Sequence, residues 1–200
     1  MPIAINGTGT ITGISAGGLP DDCITTAEIA GSAVTTAKLA QPMTLGTGQN
    51  ATGTSIDFTS IPSWVKRITV MFKGVSTSGA STPWLIQLGD SGGVEITGYL
   101  ATSSRIVVAA VSTLASTAGF PITVDNTAAN ICHGSMTITL LDLSTNSWVA
   151  SGVFANSAGT EGATVAGSKS LSATLDRVRI TTTNGTDTFD AGSINIMYEG

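Results

Sequence analysis

The chain has 200 residues and a formal net charge of −5, with 42% apolar and only 10% charged residues, whereas a soluble domain is usually about a quarter charged. Its eight Lys plus Arg cluster only at Lys66-Arg67 and Arg177-Val178-Arg179, too few to neutralise a phosphate backbone, which argues against a nucleic-acid partner. The longest apolar run, Ile106 to Val111, is far short of the roughly 20 residues of a spanning helix, which argues against membrane insertion.

Residues 1–20 are rich in Gly and Thr, with Ile3, Ile5, Ile11 and Ile14 spaced between glycines. The opening lacks the basic start and apolar segment of a signal peptide, so folding inside the producing cell is expected. A short repeat follows. Ile24-Thr25-Thr26-Ala27-Glu28-Ile29-Ala30 recurs as Val34-Thr35-Thr36-Ala37-Lys38-Leu39-Ala40. Each Thr-Thr is placed to cap a short helical turn. Ile24, Ile29, Val34 and Leu39 are too sparse to bury one another within one chain. A unit of this size is stable only when stacked on neighbours or on other copies of itself, which predicts a trimeric stalk over 21–56 that ends in a linker or a loosely paired strand from Thr44 to Ile56.

From Asp57 the pattern alternates with the period of a strand. Ile68, Val70 and Phe72 share one face, as do Trp84, Ile86 and Leu88, then Met136, Ile138 and Leu140, then Trp148, Ala150 and Phe154, and finally Ile194, Ile196 and Tyr198. Carrying the count through Val94, Ile96 and Leu100 turns Tyr99 outward, beside Glu95 and Thr97. Ile106–Val111 is apolar on both faces, which predicts a central strand or a contact with a neighbouring chain. Leu171, Ala173 and Leu175 slip in phase against Val178 and Ile180, which predicts a bulge or strand junction at Asp176-Arg177. Turn signals stand at Ser78-Gly79, Asp90–Gly93, Thr145-Asn146, Asn184-Gly185 and Asp190–Gly192. About eight strands without a helical period give an all-β fold, an antiparallel β-sandwich of jelly-roll type spanning 57–200.

Catalytic chemistry has little to stand on. The single histidine, His133, can be grouped with Ser135 and Asp142, but Ser135 opens a regular strand and no nucleophile elbow is present. Two cysteines, Cys23 and Cys132, and one histidine give no complete zinc set, and buried thiols are the expected state. Acidic pairs that would suit a small glycan hydrolase fall mostly in turn signals, as do the loops Asp90–Gly93 and Asp187–Asp190 considered for calcium. No enzyme, metal or cofactor is expected. An outward aromatic beside polar groups can stack on a sugar or lie under a neighbouring subunit, so Tyr99, Glu95 and Thr97 are the candidate ligand-binding residues.

The segment Ile5-Asn6-Gly7-Thr8-Gly9-Thr10-Ile11-Thr12-Gly13-Ile14 through Pro20 resembles the N-termini of fibre and tail-associated proteins of tailed bacteriophages. The two repeats are similar to the VTTAKLA elements of those fibres. Ile61-Pro62 through Ser76, Gln87-Leu88-Gly89, Gly98-Tyr99, Asp176–Ile180 and Phe189–Ile196 resemble a C-terminal β-domain of phage and prophage fibre proteins. The resemblance implies a homotrimeric virion component. Residues 1–20 would attach it to other virion proteins, Ile24, Ile29, Val34 and Leu39 would line the trimer stalk, and the distal domain would meet a host-surface glycan or protein. A head or collar fibre, or a capsid-decoration protein, is the nearest alternative.

Overall fold

The computed structural model describes residues 41–79, 82–125, 127–157, 159 and 161–200. The attachment segment 1–20 and the stalk residues Ile24, Ile29, Val34 and Leu39 lie outside the described residues. Gln41–Gly200 forms one compact unit. It starts ahead of the boundary at Asp57, because residues of 44–56 already pair with the sheets.

Fourteen strands are described: β1 Thr44–Leu45, β2 Gln49–Asn50, β3 Ser55–Phe58, β4 Arg67–Thr77, β5 Trp84–Asp90, β6 Gly93–Val94, β7 Tyr99–Val107, β8 Ala110–Ser116, β9 Phe120–Ile122, β10 Cys132–Asp142, β11 Ser147–Asn156, β12 Glu161–Ser170, β13 Arg177–Thr182 and β14 Phe189–Glu199. They form two antiparallel sheets packed as a sandwich. The larger runs β1-β14-β4-β10-β11-β12-β7-β8, with β2 also on β14. The smaller runs β3-β13-β5-β6, with β9 also on β5.

Alternation explains the inner faces. Ile68, Val70, Phe72, Met136, Ile138, Trp148, Phe154, Ile194 and Ile196 are buried from the larger sheet, and Trp84, Ile86, Leu88, Val178 and Ile180 from the smaller. Burying each such side chain is worth about 1.5–3 kcal/mol. The rings interlock across the layers: Phe72 stacks on Trp84 at 6.0 Å and meets Phe154 edge-on at 5.4 Å, while Phe189 lies tilted 5.4 Å from Trp84.

Four local expectations are resolved by turn chemistry. The slip at Asp176-Arg177 is a strand junction, since β12 ends at Ser170 and β13 opens at Arg177. Asp190–Gly192 is no turn but an irregular stretch of β14 against β4, with register shifts on both sides of Ala191. Ile106–Val111 is not a central strand. It is split between β7 and β8 around Ala109, whose φ is 65°, and it forms the tip of a hairpin that carries the sheet's β8 end. Finally, the alternation does not cross Gly98. β6 ends at Val94 and β7 opens at Tyr99, so 95–98, with Gly98 at φ 77°, is a connection and not a strand, and the count assigns no face across it: Ile96 and Leu100 are both exposed and Tyr99 is buried.

Candidate functional site

Tyr99 therefore does not face outward as the period implies. It is 0% exposed and packs edge-on against Phe120 at 5.2 Å. Its hydroxyl accepts from the Leu88 backbone N–H at 2.6 Å and donates to the Glu95 carbonyl at 3.0 Å. The Lys169 ammonium lies 5.5 Å over its ring, a cation–π geometry. That ammonium, buried beneath the sheet, pairs with the Glu95 carboxylate and donates to the Ser170 carbonyl at 2.7 Å. Glu95 also accepts from Ser172 N–H at 2.7 Å. Ser172 Oγ donates in turn to Asp90, at 2.7 Å, and Asp90 accepts from Gly92 N–H at 2.7 Å. Of the three candidate ligand-binding residues only Thr97 is exposed. Tyr99 and Glu95 belong to a polar clamp that ties the β5–β6 turn to the connection after β12.

The clamp has a pH signature. The Asp90 carboxyl is held below its usual value by the Ser172 hydroxyl first and the Gly92 N–H next. Burial pushes Glu95 upward, but the bonds from Lys169 and Ser172 together outweigh it and its carboxyl also titrates low. Groups with lowered folded values stabilise the fold above the unfolded carboxylate pKa of about 4 and lose that contribution as pH falls through the folded values. Melting temperature is expected to stay level from pH 7 to about 4 and then drop. Ser172→Ala should make the acid drop shallower while lowering the neutral-pH value. A variant whose pH profile superimposes on the wild type would contradict this role.

The residues grouped for catalysis stay apart. His133 and Asp142 stand at opposite ends of β10, about 30 Å apart at the rise of a strand. His133 Nδ1 accepts from Gly74 N–H at 3.3 Å, where β4 bulges opposite it. Its role is to satisfy a backbone donor that the ladder leaves out. Cys132 is a buried free thiol, and burial pushes its pKa up to about 12, which keeps it protonated and unreactive. Both Asp90 oxygens are taken by the clamp, and Asp190 accepts from Ser76 Oγ at 2.5 Å. Among the described residues no cluster of three acidic, His or Cys side chains is placed to hold a metal ion.

A better recess lies where the two sheets part at the β1–β3 side. It has a volume of about 280 Å³ and is lined by Gly46, Thr47, Gln49, Asp57, Phe58, Thr59, Ser60, Ile61, Ile196 and Tyr198. Gln49 donates to the Asp57 carbonyl at 2.8 Å and braces one wall. Asp57 takes a two-pronged bond from Arg179 at 2.7 and 2.9 Å, so the charge at the rim is neutralised. Tyr198 is half-buried and packs at a tilt against Trp64, with ring centroids 5.8 Å apart. Ser60 holds a φ of 61°, a strained value for a residue with a Cβ. The recess thus offers one braced aromatic ring and the hydroxyls of Thr47, Thr59 and Ser60, which have no hydrogen-bond partner among the described residues. Sequence reading placed Tyr198 correctly in the last strand but gave no sign that β1 and β3 would wall it in.

No family model, no curated protein and no solved structure matches the chain.

Proposed function

We propose that the chain is a structural component of a tailed-phage virion, a homotrimeric short fibre or spike held to the particle through residues 1–20 and presenting its β-sandwich to the host surface. The observation that carries the reading is one of order: a Gly-Thr-Ile opening, two Thr-Thr-Ala repeats and then a β-sandwich with its own core, the arrangement the resemblance implies. Three chains around an axis would bury Ile24, Ile29, Val34 and Leu39 together, as closed cyclic symmetry permits. Host attachment through glycan is supported by the recess at Tyr198. A supported ring with unpartnered hydroxyls around it suits a sugar, whose apolar face stacks and whose hydroxyls bond. Three weak sites on one trimer would raise avidity by about 10²–10⁴-fold where geometry lets them engage together.

Two measurements test this. Gold-labelled antibody against the chain should decorate intact particles from the producing cells, with label at the tail favouring a fibre or spike and label at the head favouring a decoration role. Particles free of label would remove the virion reading. Tyr198→Ala should lower attachment of the purified trimer to host cells at least about tenfold with the oligomer intact. Raising salt should change wild-type attachment little, because Asp57 and Arg179 already neutralise each other. Unchanged attachment by Tyr198→Ala would move the receptor site away from this recess.

A further inference from the structure

Strands β11, β12, β7 and β8 form one end of the larger sheet, and their charges are turned the wrong way for a water-facing surface. The only charged residues in these four strands are Arg105, Glu161 and Lys169. All three point to the inner side, where Arg105 pairs with Glu161 and Lys169 with Glu95. The outer side carries none. One row across it reads Val153–Thr164–Ser104–Thr113, each paired to the next in register and so on the same face. Apolar side chains stand out from it: Leu100 is 75% exposed, Val153 65% and Val111 68%. The face runs on to β8, whose outer edge no other described strand pairs and which holds neither a charge nor a proline. Sheet surfaces and edges left in water are normally guarded by such residues, since an unguarded one invites association.

We propose that the outer face of β11-β12-β7-β8 is the surface on which a second copy of this chain packs. Two copies with a net charge of −5 each repel one another, and an uncharged face is where they approach at least cost. The face has no aromatic ring on which a sugar could stack and no Lys or Arg to meet an anionic lipid headgroup, which disfavours both as occupants. Four strands at a spacing of about 4.8 Å and a length of about 27 Å give roughly 500 Å² in projection. This is more than half of the roughly 800 Å² that each partner gives to a specific interface. The contact rests on the self-assembling fibre reading for the number of copies only. The face itself follows from the charge pattern.

Sedimentation velocity of the full chain at micromolar concentration tests it. The wild type should sediment as an oligomer. Val153→Lys with Thr113→Lys, both on exposed side chains, should require at least about tenfold more protein to assemble, since like charges are then opposed in the contact, with the circular dichroism spectrum unchanged. If this pair assembles like the wild type while Ile29→Asp with Leu39→Asp does not, the stalk alone holds the copies. The present inference then fails and the fibre reading stands. A monomeric wild type overturns the inference together with the trimer, while particle labelling judges the virion role independently. Thr164→Cys covers the case in which the lysines unfold the chain. Its thiol should be shielded from maleimide at assembling concentration and react on dilution, over the background of the unsubstituted chain. Equal reactivity at both concentrations overturns the proposal.

Discussion

Replacing Tyr99 with Ala is expected to destabilise the β-domain by about 3–5 kcal/mol, the cost of emptying a fully buried aromatic position. The ring fills the space between β7 and Phe120 and carries the Lys169 ammonium on its face. Its hydroxyl also accepts from the buried Leu88 N–H, a donor that loses this partner when the residue is replaced. Tyr99→Phe separates the two contributions. It keeps the ring and orphans the donor, for an expected loss of about 1–3 kcal/mol. Urea unfolding of both variants is the direct measurement. A Tyr99→Ala chain as stable as the wild type would mean that the clamp does not hold the fold, and would return Tyr99 to the list of surface residues.

Gly192→Val is expected to cost about 3 kcal/mol, from a strained backbone together with overpacking. Gly192 sits at φ 85°, a conformation that a β-branched residue adopts only under strain. A Cβ built there would fall 2.3 Å from the Gly74 carbonyl oxygen and 2.6 Å from the Val75 nitrogen. Both are backbone atoms of the adjacent strand and neither can swing aside. Since β4 and β14 are joined directly through this stretch, relief would have to come from parting the two strands. The readout is the midpoint of chemical unfolding. Gly185→Val serves as the control, because Gly185 shares the positive φ but has open space around it. Equal losses in the two variants would show that backbone strain alone, and not the close crossing, sets the cost.

Much of the sandwich is legible in the sequence, and where it is not the reason is physical. Ile68, Val70 and Phe72, like Val178 and Ile180, announce their strands because one face is buried and the other wet, so polarity tracks the pleat. The count fails ahead of Tyr99 because 95–98 is a connection between β6 and β7, over which the period of a strand says nothing. It fails again at Ile106–Val111. The reversal occurs at Ala109 without a Gly, Asn or Pro to mark it. Asp190–Gly192 carries the residues of a turn, but a bulge uses a positive-φ glycine equally well. The recess at Tyr198 depends on β1 meeting β14 and β3 meeting β13, partners separated by most of the domain. Periodicity within a segment says nothing about pairing between segments so far apart. Tyr99 thus reads as a surface residue only if a strand period is carried over a connection, while the ring at Tyr198 is hidden from the sequence by long-range pairing.

The position of β14 has a consequence for how the protein comes to exist. It lies between β4 on one side and β1 with β2 on the other, so the earliest and the latest strands of the unit are immediate neighbours. During synthesis β1 and β2 emerge with their partner still unmade, and β4 offers an open edge until some hundred more residues have been translated. Only β5 with β6, β7 with β8 and the stretch from β10 to β12 can close locally as hairpins. Folding is therefore expected to wait on the ribosome and finish in one late step, with unpaired edges in the meantime that invite chaperones, or other nascent copies of the same chain, to bind them.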